Sequence, residues 1–271
     1  MEQVVFIFRK EGFAMDKIVL MKKDRVATIL INRPEAFNSL DYDTVKQMED
    51  TAMKVEADQE IKVVLVKGKG KSFCTGADLK YLRSIAEDRE KIARFIDQIN
   101  RAFNSLESMK VPVIAVVHGH CLAGGCELLI SCDLTLASSD AIIGDQHANF
   151  GLIPGAGGTQ RLPRLIGVQR AKELLYTGKW LSGTEAEKYG LVLKAFPAVE
   201  LDAEAEKLAA QIVEKSSLGL SHMKKLVNHG LQIDLHTAVE LEVATFLHYF
   251  PSEDVREGLL AFQEKRKPKF K

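Results

Sequence analysis

The chain has 271 residues, with 37 Lys and Arg against 37 Asp and Glu, so its formal net charge is zero. That balance argues against nucleic acid or an anionic membrane as a partner, because no bulk field would draw either to it. A hydrophobic share of 46% beside 27% charged residues excludes a disordered chain and a small disulfide scaffold, and the length suffices to bury a large core.

In chain order, residues 4–8 are apolar but too short for a secretion signal, and Glu2 precedes them where a signal would be basic. Because Met15-Asp16-Lys17 immediately precedes a strand-like pattern, residues 1–14 are read as an extension outside the fold or as the product of an alternative start, with the fold beginning at residue 15. Residues 26–31, 63–66, 113–117 and 134–137 are continuous β-branched and apolar runs bounded by Gly or Pro, the pattern of strands buried on both faces. Residues 41–57 and 85–109 between them carry helical periodicity. The alternation predicts an α/β layered core over residues 15–200. Beyond residue 167 strand signals shrink to 192–196, and helical spacing repeats over 203–213, 218–227, 235–247 and 255–262. Residues 201–271 thus read as a helical region, with apolar faces suited to another subunit as well as to the core. The chain ends in the basic run Lys265-Arg266-Lys267-Pro268-Lys269, which by composition is a solvated terminus.

No apolar run approaches the roughly 18 residues of a spanning helix. Cys74, Cys121, Cys126 and Cys132 contain no C-x-x-C pair and read as reduced thiols of a cytoplasmic protein.

Three stretches carry the candidate chemistry. In the first, Gly70-Lys71-Ser72 invites a phosphate-loop reading, but that motif needs Gly where Leu65 stands. What remains is the turn Gly76-Ala77-Asp78 after a strand, where backbone N–H groups can face an anion. In the second, a buried strand runs through His118-Gly119-His120-Cys121 into Gly124-Gly125-Cys126-Glu127. A Gly-Gly turn opening a helix presents unpaired N–H groups, and an apolar setting around Glu127 would raise its pKa toward a useful acid/base value. A metal reading of His118, His120, Cys121 and Cys126 lacks the separate second ligand pair of a zinc site. The third stretch, residues 144–162, holds His147 and the glycines Gly155, Gly157 and Gly158. A dinucleotide fingerprint fails there because Gln160 stands where its third Gly belongs. His147 is a base or acid candidate near neutral pH.

Taken together, Asn32-Arg33-Pro34-Glu35, Asn38-Ser39-Leu40, Gly76-Ala77-Asp78-Leu79, Gly124-Gly125-Cys126-Glu127 and residues 153–162 resemble, in order and spacing, the crotonase or enoyl-CoA hydratase/isomerase superfamily. The resemblance implies a spiral of ββα turns with a helical C-terminal trimerisation region, a homotrimer or dimer of trimers, acyl-CoA thioester substrates, and no metal or cofactor beyond the CoA of the substrate. It implies an oxyanion hole from the N–H groups of Ala77 and Gly124. It also implies CoA contacts from Ala36, Phe37, Gly76, Asp78 and Leu79, and from Phe262 and Lys265 near the C-terminus, often supplied by the neighbouring subunit.

Hydratases of the family use two glutamates. The first matches Glu127, and the second position holds His147. One reading keeps hydration, with Glu127 activating water and His147 delivering a proton to Cα. Another redirects the enolate to hydrolysis, isomerisation, decarboxylation or C–C cleavage with His147 as base, and a third makes the chain a non-catalytic acyl-CoA binder. Cys74 or Cys126 as a nucleophile lacks an adjacent activating base. The acyl pocket is expected along the segment from Tyr81 through Ile92 to Phe103.

Overall fold

The structure, a computed structural model, describes Val5–Phe6 and residues 16–270; the remainder of the expected extension over residues 1–14 lies outside the described residues. The chain opens with β1 (Val5–Phe6), β2 (Ile18–Lys23), β3 (Val26–Ile31) and α1 (Tyr42–Ala57). A repeating unit follows: β4 (Val63–Gly68), β5 (Ser72–Cys74), α2 (Leu79–Ile85) and α3 (Arg89–Ser108); then β6 (Val113–Val117), β7 (His120–Leu122) and α4 (Gly124–Leu129). The third turn of the unit is β8 (Leu134–Ser138), β9 (Ile142–Gly144), α5 (Gly158–Ile166) and α6 (Val168–Thr177). After it come β10 (Leu181–Ser182), α7 (Gly183–Tyr189), β11 (Lys194–Phe196), α8 (Leu201–Val213), α9 (Ser217–Gly230), α10 (Leu235–Tyr249) and α11 (Glu253–Gln263).

Each unit gives its first strand to one sheet and its second to another. The larger, seven-stranded sheet has the order β1-β2-β3-β4-β6-β8-β11, and the smaller, four-stranded one β10-β9-β7-β5. Within the larger sheet β3, β4, β6, β8 and β11 run parallel; within the smaller, β5, β7 and β9 do. This is the expected spiral of ββα turns. The short strands β5 and β7 lie inside, and β9 leads into, the stretches that carry the candidate turns. With three residues each, they are too short to show a hydrophobic period.

Burial of the long strands on both faces has a direct cause in side-chain alternation. Val64, Val66, Ala115 and Val117 face a core shared with Val45 and Met48 of α1 and with Phe95 and Phe103 of α3. Their neighbours Val63, Leu65, Ile114 and Val116 face a second core closed by Leu201, Ala205 and Ala209 of α8. The first of the C-terminal helices is therefore a layer over the large sheet. The helical stretch expected at 85–109 is interrupted, because the Asp88 carboxylate accepts from the Lys91 N–H and restarts the chain as α3.

Candidate active site

Three turns follow the carboxyl ends of three parallel neighbours in the small sheet. Ala77 follows β5, Gly124 follows β7 and His147 follows β9. Parallel pairing aligns these ends, and that edge of an α/β sheet is where a ligand can reach loops from several strands. A cavity of about 640 Å³ opens there, bordered by Ala77, Gly124, Glu127 and His147 together with Ala36 and Leu79.

The first turn is held by Leu40, whose N–H donates to Gly76 O while its carbonyl accepts from the Asp78 N–H. Peptide groups alternate along an extended chain, so the Ala77 N–H points away from Leu40. Gly124 is the first residue of α4, and its N–H has no partner within the helix. Only six residues long, α4 contributes this one donor to the cavity. Close approach of the two turns demands glycine at Gly76: its φ is +87°, and a Cβ there would lie 2.7 Å from Gly124 N. Ala123 ahead of α4 has φ 49° and ψ −118°, a strained conformation for alanine that aims the following N–H.

Glu127 is almost fully buried, its side chain 4% exposed. Its Oε1 accepts from Ala156 N–H at 2.8 Å and Gly158 N–H at 2.9 Å. The glycine-rich loop is in turn fixed from outside, Arg161 donating to Ala156 O and pairing with Glu107, and Asn100 donating to Gly155 O. With Oε1 committed, Oε2 faces the cavity side, 3.7 Å from His147 Nε2. On the far side of the ring, His147 Nδ1 lies 2.9 Å and 3.1 Å from the two oxygens of Asp145. Asp145 was not among the residues singled out from sequence, although the spacing Asp145-x-His147 in a turn was there to be read.

Burial pushes the Glu127 carboxyl above its usual range, and the Gly158 and Ala156 N–H groups with His147 offset this only in part. For His147, burial opposes the charge, but the bond to Asp145 and the negative charges of Asp145 and Glu127 outweigh it, so the pKa is raised. Burial pushes the Cys74 thiol up to about 12 and raises Cys126 as well, so neither is a thiolate nucleophile. His118 and His120 are turned to other tasks, one ring beside Gly70 O and the other beside Ser72 Oγ.

The apolar wall comes from α2 and α3 through Leu82, Ile92, Phe95, Ile96 and Ile99, with Trp180 and Phe150 opposite. Tyr81 instead packs edge-on against Phe95, and Phe103 is sealed in the core. Of the expected CoA contacts, Asp78 is engaged by Arg33 and caps α2 through the N–H groups of Lys80 and Tyr81. Phe37 is half exposed beside the cavity-lining Ala36. Phe262 and Lys265 sit at the end of α11, Phe262 86% exposed, and are not among the described residues that line this chain's cavity.

The spiral and the site together define a class. The family model for enoyl-CoA hydratase/isomerase matches residues 21–271, and the chain belongs to that family. It is 38% identical over 258 residues to the crotonyl-CoA hydratase of Syntrophomonas wolfei, covering 95% of this chain and 98% of that one. A short-chain-enoyl-CoA hydratase of Clostridium acetobutylicum is likewise 38% identical, over 93% of this chain and 97% of its own. The crystal structure of an enoyl-CoA hydratase from Bacillus anthracis superposes with a TM-score of 0.91 at 36% identity, over 94% of this chain and 99% of that one.

Proposed function

We propose that this enzyme adds water across the α,β double bond of an enoyl-CoA thioester, and catalyses the reverse dehydration, with Glu127 as base and His147 as acid. The observation that carries the reading is the pairing of Glu127 Oε2 with His147 Nε2 at 3.7 Å in one cavity with the N–H groups of Ala77 and Gly124. Glu127 takes a proton from water as the water oxygen bonds to Cβ, and the π electrons move to the thioester oxygen. Two fixed N–H donors stabilise that oxygen as it gains charge, an effect of about 3 kcal/mol per donor in comparable sites. His147 Nε2–H then protonates Cα. Glu127 is left protonated and His147 neutral, and the short gap between them lets the proton return, closing the cycle.

The thioester supplies the electron sink, so the sequence of steps requires no cofactor beyond substrate CoA. The apolar wall suits a hydrocarbon acyl group. Ala36, Phe37, Gly76 and Leu79 are the candidate CoA contacts of this chain, with Phe262 and Lys265 reaching the site of a neighbouring subunit. We further propose a homotrimer or dimer of trimers, supported by α10, which has no buried residue in the single chain, and a cytoplasmic location, supported by four unpaired cysteines. No described helix is long and apolar enough to cross a membrane.

Incubation with enoyl-, 3-hydroxy-, saturated and branched acyl-CoAs, read by product mass, tests the reaction. Gain or loss of one water on an intact thioester is expected, and Glu127→Ala should lower the rate by about 10²–10⁴-fold with the fold unchanged. Release of free CoA or a shortened acyl-CoA as the only products would overturn hydration.

A further inference from the structure

Asp145 is the buried carboxylate that the reaction scheme above leaves without a role. Its side chain is 3% exposed, and both oxygens are taken up by His147: Oδ1 accepts from the His147 backbone N–H at 3.1 Å, and both lie within 3.1 Å of ring Nδ1. A carboxylate can only accept, so Nδ1 carries a proton. We propose that Asp145 is the positioning residue of this site, holding Nδ1–H so that Nε2 is the nitrogen presented to Glu127 and to substrate, with the ring set between two carboxylates that favour its cation.

The inference deepens the hydration reading and rests on it for its kinetic part. A neutral imidazole can bear its proton on either nitrogen, and only the proton on Nε2 can reach Cα. With Nδ1–H fixed by Asp145, protonation must occur at Nε2, which turns His147 into an acid of defined direction. A lone imidazole in this position would be disfavoured as a cation by its burial; the second carboxylate offsets that cost. The titratable groups facing the ring are Asp145 from the turn after β9 and Glu127 from α4; the charge of both also acts on the buried Cys126 thiol of α4 and holds it protonated. Toward the end of α6 the turn is anchored by the neutral Gln146 amide, which donates to Gly178 O and accepts from Asn149 within the turn.

The bond from the His147 backbone to Oδ1 would by itself make Asp145 a structural turn residue, so the test reads the ring. In the full chain with ¹⁵N-labelled histidine, the His147 signals are identified by their loss in His147→Gln. Expected for the wild type is a neutral form protonated at Nδ1 and a titration midpoint above that of a free histidine. In Asp145→Asn, whose amide oxygen still accepts from Nδ1–H, the tautomer should persist while the midpoint falls; Asp145→Glu should restore part of it. For hydration of crotonyl-CoA, kcat in Asp145→Asn should drop about tenfold or more with KM little changed, and the alkaline limb of the pH profile should move down with the midpoint. A wild-type ring protonated at Nε2 in its neutral form, or an unchanged midpoint in Asp145→Asn, would overturn the proposal, and the first of these needs no Asp145 variant to fold. If no acyl-CoA is hydrated by the wild type, the reaction scheme fails, while the ring titration still decides whether Asp145 holds and charges His147.

Discussion

At the scale of single residues, Glu127 and His147 have the same thermodynamic signature for different causes. Burial raises the first, whereas two neighbouring carboxylates overcome burial to raise the second. A raised pKa means that the folded chain binds the proton more tightly than the unfolded one. The associated stability is complete below the unfolded values, 4.5 for Glu127 and 6.5 for His147, and is lost as pH rises through the folded values. Glu127→Gln, which copies the neutral acid, should therefore melt at a higher temperature than wild type at pH 8, with the gap closing as pH falls toward 4.5. Calorimetry of both proteins across that range checks it; a constant gap would mean that the Glu127 charge is not the cause. His147→Glu, placing a second carboxylate beside Glu127, should retain hydration and move the pH profile to the acid side, as steady-state kinetics would show.

At the scale of elements, the site depends on how closely the turn after β5 meets the turn after β7. Gly76 is the contact point, with positive φ and no room for a methyl group before Gly124 N. Gly76→Ala should push the Ala77 and Gly124 donors apart and lower kcat/KM by about 10²-fold or more, while circular dichroism reports a largely retained fold. The Gly-Gly turn and Glu127 were legible from sequence because their chemistry is local: glycines ahead of a short helix, a carboxylate one turn in. The loop that occupies Glu127 Oε1 shows in the sequence only as the glycines Gly155, Gly157 and Gly158. Nothing in the order of residues 155–158 says which carboxylate lies 29 positions away across the Ala156 bond.

At the scale of the whole molecule, single strands of the large sheet serve two cores, one on each face, and α8 closes the second. The helices beyond it expose Phe246, Leu247 and Phe250 on α10 and its end, and Leu259 and Phe262 on α11. Large apolar side chains exposed together on neighbouring turns suit an interaction surface, in keeping with the proposed assembly. The double substitution Phe246→Glu and Leu247→Glu should reduce the mass found by light scattering to that of one chain and, if Phe262 and Lys265 complete a neighbour's CoA site, raise KM for the acyl-CoA. A monomeric wild type would remove the basis for both expectations.

The sequence alone determined the alternation of buried strands and helices, the family pattern, and Glu127 and His147 as the candidate acid/base residues. These are carried by hydrophobic period and by motifs contiguous along the chain. Only the tertiary structure decided that the ends of β5, β7 and β9 meet at one cavity and that Oε1 of Glu127 is spent on a loop, leaving Oε2 for His147. It alone set the His147 ring between two carboxylates. Each joins segments separated in sequence, the last of them through Glu127 of α4, since Asp145 is a near neighbour of His147 along the chain; strand pairing and burial fix these distances, and no local pattern of residues encodes them.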